Sequence, residues 1–197
     1  MIRHALLLLL IAAPAWSAGT PDPDWPCVQR RQPALSLGQV WSGPAPGAAA
    51  EELAKTDAVQ DVARVIALRR TDLAAAETMI ADFAASHDAD AQVALFLAAF
   101  DHIQTQRNRV MEGITRYAHK QEQLDSHIEE VRHQYDALMA AQNKDFDALD
   151  KLEQDIDWST RIFQDRQQSL TYVCETPVIL EQRAFALGRA VAAHLPK

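Results

Sequence analysis

The sequence predicts an all-α protein: a long antiparallel two-helix coiled-coil hairpin, two shorter helices packed at its base, and an extended N-terminal strap. Three observations lead there. Apolar residues recur at alternating spacings of three and four through two long stretches of the C-terminal half. A polar break, AAQNKDFDALD, separates those stretches. Glycine and proline crowd the region before residue 48, which leaves the remainder open to helix.

The chain opens with MIRHALLLLLIAAPAWSA, a basic start at Arg3, an apolar run from Ala5 to Ala13, and small residues suited to signal peptidase. That run is about half of the roughly 20 residues a spanning helix needs, so residues 1–18 read as a signal peptide, cut after Ala15, Ser17 or Ala18. The mature chain is then expected to contain no membrane span. Its compartment is periplasmic or secreted. The full chain carries a formal net charge of −8, and losing Arg3 makes the remainder more acidic still. Nucleic acid and anionic membrane surfaces are poor partners for such a chain, because both demand a basic patch.

Residues 19–55 form the expected strap. Pro26 and Pro33 keep it from becoming helical, and Trp25 and Trp41 offer large apolar contacts to whatever it lies upon. The alternative is that both tryptophans only fill the end of the domain. Cys27 and Cys174 are the two cysteines of the chain, and an oxidising compartment makes a disulfide between them the leading reading. Their separation rules out a CxxC redox motif.

A helical domain is expected over residues 56–197. TDAVQDVARVIALRR gives a helix at about 57–70, with Thr56 or Asp57 as N-cap and arginines at its C-terminal end. TDLAAAETMIADFAASH gives a second at about 72–86, capped by Thr71 and presenting Leu73, Ala76, Ile80 and Phe83. From Phe96 to Leu138 a heptad seam runs unbroken, so the third helix should cover about 89–141. The seam resumes from Leu149 to Val191, giving a fourth at about 145–195 with a kink or break near Pro177. A short turn near Asn143 folds the two together.

If Leu138 faces Leu149, Gln121 falls opposite Arg166 and Cys174 falls beside Gly113. Glycine inside a helix costs about 1 kcal/mol relative to alanine. Gly113 is therefore expected to be a smooth notch on which the segment around Trp25, Pro26 and Cys27 can lie. The short helices reach only the base, which leaves roughly residues 122–165 projecting as a bare arm. Arg132, His133, Tyr135, Asp136, Asp155 and Ile156 are the candidate partner-binding residues there, for a protein partner or for self-association.

Signals for chemistry are sparse. Glu130 and His133 have the i, i+3 spacing used in di-iron bundles, but the second such pair and the further inward glutamates are missing. His102, His119 and His127 lack zinc-type spacing, and no GxSxG, P-loop or Rossmann pattern occurs. The sequence thus nominates no catalytic residue, no metal ligand and no cofactor. Glu175, Glu181 and Arg183 flank Pro177 in an otherwise apolar stretch. They are candidates for a pocket or for ion pairs with Arg107 or Arg109 across the hairpin.

DWPC near the mature N-terminus, together with YVCETPVILEQRAFALGRA near the end, resembles a group of exported bacterial helical proteins. The resemblance implies a compartment and no activity. The expected function is an exported helical interaction or accessory protein that acts through its hairpin. The alternative is an enzyme or small-ligand carrier with a pocket between the short helices and the Pro177 region.

Overall fold

The computed structural model describes residues 22–196, so the expected signal segment lies outside the described residues. The described chain is all-helical, with six helices: α1 (Leu37–Val40), α2 (Ala48–Leu53), α3 (Asp57–Ala67), α4 (Leu73–Ser86), α5 (Ala89–Ala140) and α6 (Phe146–Ala192). The two long ones, 52 and 47 residues, pack together. At 1.5 Å per residue they measure about 78 and about 70 Å.

Aspartates begin the three longest helices. Asp72, Asp88 and Asp145 each accept a hydrogen bond from a free backbone N–H in the first turn: Ala74 at 2.9 Å, Ala91 at 2.9 Å and Ala148 at 3.0 Å. The cap of α4 is therefore Asp72 and not Thr71. The Thr71 hydroxyl instead donates backwards to the Val65 carbonyl at 2.7 Å, tying the α3–α4 turn. Thr56 does stand at the N-cap of α3, but its hydroxyl also turns back, to the Leu53 carbonyl.

The base is built around the first third of α5. Eight of its residues between Ala91 and Ala99 are buried, and with Ile103 they meet Leu180, Ala184, Leu187 and Val191 of α6 in the main core. A helix buried all round needs cover on every side. Helices α2 and α3 supply it against α5, while α1 and α4 pack on α6. Val40, Ala50, Ile66, Ile80 and Phe83 are what these short elements bury in the core.

Four features depart from the sequence reading. The strap is not extended throughout, because α1 and α2 interrupt it; Gln39 turns its amide oxygen onto the Ser36 N–H at 2.8 Å and starts α1. Helix α6 is not broken at Pro177, which lies buried inside it. Packing of the 174–180 face outweighs a local cost of about 3 kcal/mol. The seam also slips by about one turn in the distal half: Gln121 donates to the Phe163 carbonyl at 3.2 Å, and Arg166 acts on Tyr117. An alternating three–four repeat looks alike after each turn, so it fixes the buried face more firmly than the register.

The fourth departure concerns glycine. A Cβ at Gly113 would meet only the end of the Arg116 side chain, at 3.9 Å, so no close approach occurs there. Gly188 is the crowded one. A Cβ on it would overlap the Val40 carbonyl oxygen and sit 3.2 Å from the Phe96 ring. Helix α1 thus reaches α6 only because residue 188 has no side chain. Gly188→Ala should destabilise the protein by about 1–3 kcal/mol through overpacking. Gly113→Ala should stabilise it by about 0.5–1 kcal/mol through helix propensity. Paired thermal melts of the two variants would check both signs.

Candidate functional site

Three clusters hold the residues of interest, and they lie at successive heights along the long helices. The lowest is the seat of Trp41. Its ring stacks on Phe96 with centroids 4.6 Å apart, and its indole N–H donates to the Pro44 carbonyl at 2.8 Å. Trp41 belongs to the packing around Gly188, so it secures α1 to the base.

The second cluster centres on Arg107, which is 1% exposed. Its Nε donates to Glu181 Oε1 at 2.9 Å, and one terminal nitrogen lies 2.7 Å from the same oxygen. That nitrogen also donates to the Gln32 carbonyl, and the other donates to the Pro33 carbonyl at 3.3 Å. A buried guanidinium is tolerated only when its donors are met, and here a carboxylate and two strap carbonyls meet them. Arg109 and Glu175 take no part; both are exposed. Arg183 donates from Nε to the Ile66 carbonyl at 2.7 Å, at the C-terminal end of α3 where a cation is favoured. Burial pulls its guanidinium below the ordinary range, and the Asp72 carboxylate pulls the other way. Glu181 and Arg183 are thus committed to structural partners.

Above Arg107 the strap is fastened at three more points. Trp25 is buried against Met111 and Ile114, donates its indole N–H to the Gln29 carbonyl at 2.6 Å, and has Arg31 above its ring at 5.9 Å. Two residues on, Cys27 meets Cys174 of α6 at disulfide distance, with Cα atoms 5.6 Å apart. Pro26, between them, is exposed and keeps the segment from turning helical. Asp24 then closes the contact: its carbonyl accepts from Thr115 at 3.0 Å and its carboxylate sits 2.6 Å from His119 Nε2.

The third cluster is the arm beyond His119. Tyr135 and Ile156 are half-buried between α5 and α6, whereas Arg132, His133 and Asp136 are exposed on α5. Asp155 is engaged, receiving Ser159 Oγ at 3.1 Å and lying 3.2 Å from His127. The sequence reading missed the residue that stands out most here. Trp158 is 63% exposed, and with Gln154, Asp157 and Arg161 it lines a cleft of about 410 Å³. Its neighbour Ser159 is the one on the seam, and that offset by a single residue was the available signal.

Among the described residues no group of three or more His, Cys, Asp or Glu is placed to hold a metal ion, and no helix is long and apolar enough to cross a membrane. Compared with known protein families, curated proteins and solved structures, the chain matches none.

Two substitutions test the fastening. Cys174→Ser should lower stability by about 2–5 kcal/mol, the range for freeing a loop of this length. Peptide mapping without reduction should recover the 27–174 pair from the parent protein. Glu181→Ala should cost about 3 kcal/mol, since it strips the carboxylate from a buried charge. Denaturant unfolding of Glu181→Ala beside the double variant Arg107→Met/Glu181→Ala should show the double variant to be the more stable of the two.

Proposed function

We propose that this is an exported accessory protein, periplasmic or secreted, whose α5 and α6 form an antiparallel coiled-coil hairpin that binds another protein through its distal part. One observation carries the reading. Cover from the rest of the chain thins out with Trp25 at Ile114 and Asp24 at His119, yet α5 continues to Ala140 and α6 starts back at Phe146. An uncovered pair of helices buries only one stripe on each. The remaining surface is long, rigid and set away from the base, which suits an element that reaches a partner.

Opposed directions are supported by the residues that meet. Arg107 pairs with Glu181, Gln121 with Phe163 and His127 with Asp155, so numbers rise on α5 as they fall on α6. Export is supported by a cysteine pair at disulfide distance, by the signal-like residues 1–18, and by the resemblance to exported helical proteins.

The test is to replace residues 125–162 with a short turn and purify the exported protein under native conditions. The shortened chain should fold, keep its 27–174 bond and lose the stoichiometric partner that the full chain retains. Retention of every partner by the shortened chain would assign binding to the base.

A further inference from the structure

A cleft of about 290 Å³ opens beside the Cys27–Cys174 pair, and both cysteines line it. The two are not equally placed. Cys174 sits on α6 and is 4% exposed, whereas Cys27 is half-buried on the strap, next to Val28, which stands wholly in solvent. A nucleophile that enters the cleft has a route to Cys27 and little to Cys174, and thiol–disulfide exchange is governed by which sulfur can be reached.

No charged side chain lines the cleft. Pro26 and Leu170 give it an apolar part, while Gln29, Gln167 and Thr171 give it amides and a hydroxyl. The side-chain oxygen of Gln29 is buried and meets no donor among the described residues. A buried acceptor in that state is costly until an N–H reaches it. Amides, a small apolar surface and one acceptor in want of an N–H suit a short peptide, and a thiol carried by that peptide would meet the sulfur of Cys27.

The strap is arranged so that such a reaction stays local. Among the described residues, every hydrogen bond between residues 22–33 and a helix goes to α5, from Arg107, Thr115 and His119. Trp25 is likewise seated on Met111 and Ile114 of α5. Opening a bond at Cys27 parts the strap from α6 and leaves it on α5, so the chain need not unfold to let the reaction proceed.

Resting on the reading of Cys27 and Cys174 as bonded, we propose that this cleft admits a small peptide thiol, which exchanges with the bond at Cys27. The thiolate sulfur attacks Cys27 Sγ and bonds to it as the 27–174 bond breaks; the electron pair of that bond leaves on Cys174 Sγ, which takes up a proton from water. One disulfide replaces another, so nothing is oxidised or reduced overall. Cys174 then lies beside the new bond and reverses the step by attacking Cys27 Sγ and expelling the thiol. Cys27 is thus a site of reversible thiolation, with Cys174 as its resolving cysteine.

The test uses the full mature chain with its bond intact and glutathione as the probe, below the unfolding transition, stopped with acid at early times, alkylated and mapped by mass spectrometry. Glutathione should appear on the Cys27 peptide at least about tenfold more often than on the Cys174 peptide, a preference that should collapse in strong denaturant. Val28→Lys should speed the native exchange and Val28→Glu should slow it, each by about threefold at low salt, with melting temperatures unchanged, because a charge at that open position acts on the incoming thiolate. Gln29→Ala keeps the backbone carbonyl that Trp25 uses. It should slow glutathione and leave ethanethiol, which has no N–H to offer, unaffected.

Equal labelling of the two cysteines in the native chain, or labelling mainly at Cys174, would overturn the proposal. Exchange whose rate tracks the unfolding transition would overturn it too, since the bond would then open only with the whole chain. No reaction with glutathione below that transition would overturn it as well, in favour of a protein reductant if a dithiol oxidoreductase then opens the bond. Absence of the 27–174 bond from the parent would remove the premise and the proposal with it. None of these results bears on partner binding by the arm.

Discussion

A guanidinium almost wholly withdrawn from water sets the terms for the structure around it. Taking the charge of Arg107 out of solvent costs several kcal/mol unless acceptors surround it. Those acceptors come from two parts of the chain: Glu181 on α6, and the carbonyls of Gln32 and Pro33 in the N-terminal segment. Satisfying one side chain on α5 therefore fixes the height of α6 beside it and the path of the strap across both. The Cys27–Cys174 pair and Trp25 fasten the strap one to two turns further along α5, and Trp41 and Gly188 fasten it below.

Much of this was legible in the sequence, and the rest was not for identifiable reasons. All thirteen seam positions read from Phe96 to Leu138 lie buried or half-buried, because a heptad repeat records directly which face of a helix leaves water. Thirteen more were read on α6, and only Val173 lies exposed, with Cys174 turned inward in its place. Register is a different quantity. It depends on contacts such as Gln121 to Phe163 that join distant segments, and a repeating pattern carries no record of them. Gly113 and Gly188 illustrate the same limit, since both are glycines inside long helices and only the strap's path tells them apart. The pairing of Arg107 with Glu181 had a sequence signal in a cation on one apolar seam and a carboxylate beside Leu180, next to the other. The two strap carbonyls had none, because every residue has a carbonyl.

The long helices serve two environments in succession. Near Ala91–Ile103 on α5 and Leu180–Val191 on α6 they are core elements, crowded by four short helices and rich in alanine that lets backbones come close. Beyond His119, where Asp24 makes the last strap contact, the described helices have only each other, and polar residues return to the seam at Gln121 and Ser159. That change follows from geometry, since short helices of 4 to 14 residues cannot cover rods several times their length. Opening free energies should follow the same division, high in the base and falling toward the 141–145 turn, as they do wherever contact density declines.

The sequence separation of 147 between Cys27 and Cys174 also orders events in time. A ribosome adding about 5–20 residues per second takes on the order of ten seconds to get from one to the other. For that interval the Cys27 thiol has no mate, and the carbonyls destined for Arg107 have no complete seat, since Glu181 has yet to be made. Helix α5 has all its residues well before α6 does. The segment synthesised near the start is consequently among the last to settle, and while it waits it presents a free thiol and the ring of Trp25 to any oxidant or chaperone it meets.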